Sequence, residues 1–411
     1  MKLIKEEEEM VEGKYGRVVQ KAMELLVAVD ECYDAERMVP VASAHLVGAN
    51  RAAGKGGMRF IKELAEGGGK FLVPLTTNPA ALDLWAWKDM GFSEEHYLEQ
   101  ISISDAIAKM GGFVCNTCAP YLIGHAPRMR THVAYGESSV VLYANAVLGS
   151  RTNREGGPSA LAAALTGRTP CYGYHLDENR HGALKIHVNA ALEGDTDYAT
   201  LGYFAGGIAL DRVPIFTGLP SSLSQDSLKS LGPPLATKGS VAHYHVVGVT
   251  PEAPTEEAAS GFKKISPSDI FEFGPGDLKA TEESLSRAGP EEATLVILGC
   301  PHPSIGQIKK YAEVLSGRKV KDHVEIWILI PHGIKQVAED IGYAPIIEST
   351  GARLLSNVCP AAMPLDYYRK RGYKIIATDS PKTVYYTSTT KDALCYYGSL
   401  EKFVDVVTRK A

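Results

Sequence analysis

The chain has 411 residues, of which 22% are charged; 43 lysines and arginines stand against 48 aspartates and glutamates, for a net charge of −5. That balance supplies no basic face for nucleic acid, and no apolar run reaches the ~18–20 residues that a membrane span needs. Seven cysteines, an odd number without a short repeating framework, do not make a disulfide scaffold.

A chain of this length buries a large core and is expected to form more than one domain. Its first segment, MKLIKEEEEM, is acidic and lacks the apolar stretch of a signal peptide, so a cytoplasmic location is expected. Residues 16–29, GRVVQKAMELLVAV, carry apolar positions at helical spacing and predict a packed helix. MVPVASAHLVGAN then predicts a short buried strand from Met38 that runs out at His45, Gly48 and Asn50. GKGGMRFIKELAEGGGK reads as a Gly-rich turn, a helix and a Gly stop. Backbone N–H groups of the turn at 54–57 could cradle a phosphate, although the spacing is not that of a nucleotide P-loop and a plain turn is the simpler account.

A second apolar strand over 70–75 ends in TTNPAAL. Two successive strands thus deliver small polar residues at their carboxyl ends, where ligands collect in open α/β sheets. Residues 93–110 read as a helix capped by Ser93, with Glu94 and Glu95 in its first turn.

FVCNTCAPYL, residues 113–122, follows a Gly-Gly break and places two cysteines three apart before a proline. A thiolate on such a turn is a good metal ligand. One CxxC does not complete a zinc knuckle, which needs a second pair, and the other cysteines are the scattered Cys32, Cys171, Cys300, Cys359 and Cys395. Cys300 and Cys359 are each followed by proline where an apolar run ends. Three such turns from distant parts of the chain suggest a site assembled by the fold, whereas any one cysteine taken singly reads as a buried small hydrophobe.

GESSVVLYANAVLG predicts a helix opening at Ser138, whose bare N–H groups could hold an anion while Glu137 bonds a hydroxyl or takes a proton. The competing account is that Glu137 and Ser138 only cap that helix. Arg151 to Arg180 begins with a dense polar loop, whose arginines either fork onto a carboxylate or phosphate or pair with Glu155, Asp177 and Glu178. Short apolar runs between Gly and Pro turns over 184–245 say little about chemistry. PEAPTEEAASGFKKISPSD, from Pro251, has linker composition.

The last third alternates apolar strands (ATLVILG, VEIWILI, 373–378) with helices, which predicts a parallel sheet covered on both faces. Cys300 stands at the end of the first of these strands and Lys382 just beyond 373–378. Cys359 follows a short helix-like run, and DALCYYGSLEKFVDVV is expected to close the chain as a helix. The expected division is an N-terminal α/β region, 1–285, carrying Cys118, and a C-terminal α/β domain, 286–411, carrying Cys300 and Cys359.

TCAPYL around Cys118, GESS at 136–139, YANAVLGSRTNREGGPSAL, YGYHLDENR, LGCP at Cys300 and NVCP at Cys359 together resemble the aconitase X family, over nearly the whole chain. The resemblance implies a multi-domain, aconitase-like α/β fold and a hydro-lyase activity. One branch of the family dehydrates (R)-5-phosphomevalonate to trans-anhydromevalonate 5-phosphate in an archaeal-type mevalonate pathway of isoprenoid synthesis; another dehydrates cis-3-hydroxy-L-proline. It further implies an iron–sulfur cluster, expected as [4Fe–4S], held by Cys118, Cys300 and Cys359, with Cys115 outside the ligand set.

The implied substrate contacts are Gly48, Ala49, Asn50, Asn78, Pro79, Glu137 and Ser138, with catalytic roles for Glu137 and Ser138. Ala49-Asn50 departs from the Val-Ser of relatives, which leaves backbone contacts there intact and side-chain roles open. A phosphate needs further donors, for which the 54–57 turn, Lys55, Arg59 and Lys382 are candidates. In the family, a swivelling domain closes the site and is a separate small subunit in archaea and some bacteria; because this chain ends at Ala411 on a helix, a heterodimer is expected.

By analogy with aconitase the proton-abstracting base would be a serine of that small subunit, with Glu137 or His45 as alternatives in this chain. Two other classes remain to be weighed: an iron-responsive RNA-binding protein, which the acidic balance opposes, and a zinc hydrolase using CNTC with histidines.

Overall fold

In a computed structural model, residues 2–390 and 393–411 are described; the side chains of Asn50, Arg51 and Thr390 lie outside that description. Three parallel sheets organise these residues. The first pairs Leu75–Thr77, Ala44–Leu46 and Ala134–Tyr135, in that order. The second runs His245–Val246, Pro214–Thr217, Leu184–Val188, Ile270–Phe273. The third has five strands, ordered Arg353–Ser356, Glu325–Ile330, Leu295–Leu298, Ile375–Thr378, Leu394–Tyr397.

The five-stranded sheet has the predicted character. Along its central strands, Val296, Leu298, Ile326, Ile328 and Ile330 enter one buried cluster, while the alternate residues Leu295, Ile297, Trp327 and Leu329 enter another. Both faces are therefore dry, which is why the strands read as continuous apolar runs. Leu295–Leu298 is the middle strand, and the chain leaves it first towards Glu325–Ile330 and later towards Ile375–Thr378. Its carboxyl end is thus a topological switch point, the usual crevice for a ligand in such a sheet. Cys300 lies two residues beyond that end.

In the second unit, the helices Asp195–Ala209 and Gln225–Gly239 approach until a Cβ on Gly202 would stand 2.2 Å from the Leu231 carbonyl oxygen and one on Gly239 would stand 2.0 Å from that of Gly206. Only glycine permits that contact, so the apparently silent 184–245 stretch encodes a packed helix pair over a sheet. PEAPTEEAASGFKKISPSD is no free linker: Ala253 and Ala259 are wholly buried against Ile215, and Glu256–Ala259 is helical.

Other expectations shift locally. The stretch from Met38 makes two strands, Met38–Pro40 and Ala44–Leu46, because the chain passes from an antiparallel pairing with Arg168–Pro170 to the parallel first sheet. The strand expected over 70–75 is only Leu75–Thr77. The turn expected at 54–57 is instead inside the helix Asn50–Glu66, which takes up its glycines with one non-helical residue, Gly54 (φ 62°, ψ 176°). The run before Cys359 is the strand Arg353–Ser356, not a helix. The closing segment is a strand, Leu394–Tyr397, then a helix, Leu400–Val407; Gly398 and the N-cap Ser399 part them, while Lys391 and Asp392 fall outside the described residues.

Candidate active site

The first and third sheets meet through their strand ends. Beyond Leu75–Thr77 the chain crosses to the third sheet: the Ala80 N–H donates to the Asn357 carbonyl (3.0 Å), and the Cys359 N–H donates to the Ala80 carbonyl (2.8 Å). Asn78 and Pro79 sit on that crossing. The Thr117 N–H donates to the Thr77 carbonyl (2.9 Å), which sets Cys118 beside it. Glu137 comes two residues after Ala134–Tyr135, and Lys382 four after Ile375–Thr378.

All of these segments face one cavity, whose lining includes Asn78, Pro79, Cys118, Glu137, Ser139, Cys300, His302, Cys359 and Lys382. The three cysteines singled out from the sequence are therefore brought together from three different loops, those of Cys300 and Cys359 following strands. Cys115 is turned away, with its Sγ 3.5 Å from the Thr77 carbonyl oxygen.

The same cavity is lined by a buried ion pair. Lys382 Nζ lies 2.5 Å from Glu137 Oε1 and 3.0 Å from each of the Ser138 and Ser139 hydroxyl oxygens. The other carboxylate oxygen accepts the N–H groups of Ser139 (2.6 Å) and Val140 (3.1 Å), and the Ser138 hydroxyl donates to Oε1 (2.9 Å). Glu137 thus caps the helix Ser138–Leu142, as the capping account expects, and also anchors Lys382. Burial alone would raise the carboxyl pKa, but the Lys382 charge, its hydrogen bond and those from Ser138 and Val140 outweigh that and hold it well below the ordinary carboxylate range. Burial works against the Lys382 ammonium, and the Glu137 charge overrides it, so the lysine stays protonated.

The remaining expected contacts spread further out. Gly48 presents its carbonyl to Gln100 Nε2 (3.3 Å) and is packed by Ile107 and Thr77, and Ala49 is the buried N-cap of Asn50–Glu66; neither lines the cavity. Asn50's side chain is outside the described residues. Lys55 and Arg59 are on the outer surface of that helix, with Arg59 donating to Glu63, and so are not phosphate donors to this cavity. The arginines of the polar loop are engaged within the protein: Arg151 pairs with Asp177, and Arg154 donates to the carbonyls of Ser240 and Val241 outside the loop. His45 lies behind Asn78, its Nε2 3.4 Å from the amide oxygen and its Nδ1 2.8 Å from the Thr76 hydroxyl.

Among the lining residues that the sequence reading did not single out are Ser139 and His302. The doubled serine of GESS and the histidine between two prolines in CPHP were the available signals.

The cysteines fit a polynuclear group better than a single ion. Among the described residues, no three His, Cys, Asp or Glu side chains stand close enough to clasp one metal ion. Three thiols lining one cavity are a donor set that would suit an iron–sulfur cluster. Burial, then the charges of Glu137 and Cys300, push the Cys118 thiol far up; burial and Cys300 push Cys359 up to about 11. Bare thiolates are thus unfavourable here, and a cationic group is what would compensate them.

Models of the aconitase X first, second and third domains match residues 1–178, 182–283 and 293–409. The chain belongs to the aconitase X family. A phosphomevalonate dehydratase large subunit from Methanothermobacter thermautotrophicus is 42% identical over 386 residues, 92% of each chain. A cis-3-hydroxy-L-proline dehydratase from Pseudomonas aeruginosa is 31% identical over 385 residues, which cover 92% of this chain and 65% of that enzyme. The crystal structure of Thermococcus kodakaraensis aconitase X in its holo-form superposes with a TM-score of 0.88 at 35% identity, over 98% of this chain and 99% of that one. No helix among the described residues is long and apolar enough to cross a membrane.

The buried histidines of this aconitase X chain give it an acid weakness. Burial lowers the pKa of His45 to about 4 and, with help from the charges of His132, Arg180 and Arg151, that of His175 to about 3. Their unfolded values are near 6.5. Above that pH both states are neutral; below it the unfolded chain binds protons that the fold refuses, so stability falls as pH drops from about 6.5 towards 4. Each of the two accounts for roughly 3 kcal/mol over the window. Burial also raises the Asp379 carboxyl to about 6, which acts in the opposite sense, but five more histidines (His125, His132, His243, His245 and His302) are shifted down. Urea midpoints of the metal-free chain should therefore stay nearly level from pH 7.5 to about 6.5 and decline from there to pH 4.5. A flat or rising profile would show these rings to be protonated in the fold.

Proposed function

We propose that this chain is the large, catalytic subunit of a cytoplasmic hydro-lyase that removes water from (R)-5-phosphomevalonate, with a [4Fe–4S] cluster on Cys118, Cys300 and Cys359. The observation that carries it is the single cavity lined both by the three thiols and by the Glu137–Lys382 pair with Ser139. The division at 285/286, which sets Cys118 apart from Cys300 and Cys359, belongs to this reading.

When bound, a cluster with one iron lacking a protein ligand supplies a Lewis acid that makes the substrate hydroxyl a better leaving group. The chain's own residues bind and orient. Lys382, kept charged by Glu137, gives the substrate's anionic groups a buried cation, and Ser139 and the Asn78 amide supply neutral hydrogen bonds. Glu137, ionised and saturated with donors, is a weak base; its task is to hold Lys382 and the start of the 138–142 helix. The proton next to the substrate carboxylate is then taken by a group outside this chain, in keeping with a small swivelling subunit as partner.

The choice of substrate rests on the relatives. The chain is 42% identical to an archaeal phosphomevalonate dehydratase large subunit and 31% identical to the hydroxyproline enzyme, which favours the phosphorylated substrate. The alternative, cis-3-hydroxy-L-proline, carries no phosphate. Anaerobic reconstitution with the small subunit and assay on both substrates decides between them. The large chain alone, fully loaded with iron, should show almost no turnover on either. Full activity without a partner would place the base in this chain and end the two-subunit reading.

A further inference from the structure

His302 is 2% exposed and is connected to all three cysteine-bearing segments. It follows Cys300 by two residues, its backbone N–H donates to Cys118 Sγ (3.4 Å), its Nδ1 is 3.0 Å from the Thr117 hydroxyl, and its Nε2 is 2.9 Å from the Val358 carbonyl. Its own carbonyl is fixed by the buried Lys229 ammonium (3.0 Å). The proton positions follow from the partners. A carbonyl only accepts, so Nε2 carries the hydrogen; the Thr117 hydroxyl already accepts the Ala119 N–H (3.1 Å) and so donates to Nδ1. One neutral tautomer thereby uses both ring nitrogens, with one tied beside Cys118 and the other beside Cys359.

We propose that His302 is a positioning residue for the cluster: a neutral strut that fixes the Cys118 and Cys359 loops relative to Cys300, so that the three sulfurs are pre-arranged to hold iron. This rests on the cluster reading given above. A histidine that merely fills the core would have no reason to bond the neighbours of both other ligands, and a side chain of equal volume could replace it.

Three variants separate the readings. His302→Asn keeps an acceptor near Thr117 and loses the Val358 bond; His302→Gln keeps a donor for Val358 and loses the Thr117 bond; His302→Leu keeps volume and loses both. Each protein is reconstituted anaerobically, and iron release to an excess of chelator is timed alongside thermal unfolding of the metal-free form. Release should quicken by about fivefold in each single-bond variant and by roughly twenty-fold or more in His302→Leu, with metal-free melting temperatures close to wild type for Asn and Gln. If His302→Leu does not fold, the Asn and Gln variants carry the test. Equal release from a loaded wild type and from those variants overturns the inference alone, as does their failure to fold. A wild type that takes up no iron overturns the cluster reading and the inference with it.

Discussion

Serine in place of Cys118, Cys300 or Cys359 is expected to abolish the visible absorbance of the reconstituted protein and all of its turnover, while Cys115→Ser leaves both unchanged. Each of the three sulfurs comes from a different loop, so no neighbouring thiol replaces a lost one. Burial is the leading reason that all three thiols resist ionisation in the metal-free cavity, and a serine hydroxyl ionises still less readily than a thiol. The same variants should stay folded without metal, because serine is close to cysteine in size and each of the three cysteines is only partly buried. Cys115 faces the Thr77 carbonyl instead and makes a contact a serine can also make. Iron and sulfide content, absorbance and far-UV circular dichroism on all four variants check this. Loss of iron from Cys115→Ser alone, or a full cluster in any of the other three, would overturn the ligand assignment.

How much of this was readable in advance varied with how directly the physics is written into neighbouring residues. The C-terminal sheet was plain because strands dry on both faces are apolar throughout. The helix Ser138–Leu142 and its Glu137 cap, and the helix capped by Ser93, were plain because caps are local. The Asn50–Glu66 helix misled because Gly54, Gly56 and Gly57 lower helix propensity, whereas the fold tolerates them with a kink at Gly54. LCYY misled because a four-residue edge strand has no periodicity long enough to outvote the helix that follows.

The site divides in the same way. Its cysteines were legible from motifs, but the pairing of Glu137 with Lys382 spans 245 residues and that of Thr117 with His302 spans 185, and nothing local announces either. Lys382 was expected to meet a phosphate; what the sequence could not convey is that a carboxylate and two hydroxyls already surround it.

That buried pair is expected to reveal its role in a double-mutant cycle. Lys382→Met leaves the Glu137 carboxylate in a cavity that hardly sees water, with only neutral donors; Glu137→Gln leaves the Lys382 ammonium in the same position. Removing one partner of a buried pair costs about 3–5 kcal/mol, so both single variants should melt well below wild type and lose at least about tenfold in kcat/KM, since a buried hydrogen bond to a charged group is worth ~1.5–3 kcal/mol. The double variant, Glu137→Gln with Lys382→Met, carries no stranded charge, and its glutamine can still accept the Ser139 N–H at the helix start. Its stability should therefore return most of the way to wild type.

Activity is where the accounts part. If Glu137 exists to present a charged Lys382 to the substrate, the double variant stays as inactive as Lys382→Met, with the loss in binding and turnover persisting at equal cluster content. If the pair only braces the 138–142 helix against the strand end that carries Lys382, catalysis recovers together with the melting temperature. Recovered kcat/KM in the double variant would remove Lys382 from the substrate-binding residues.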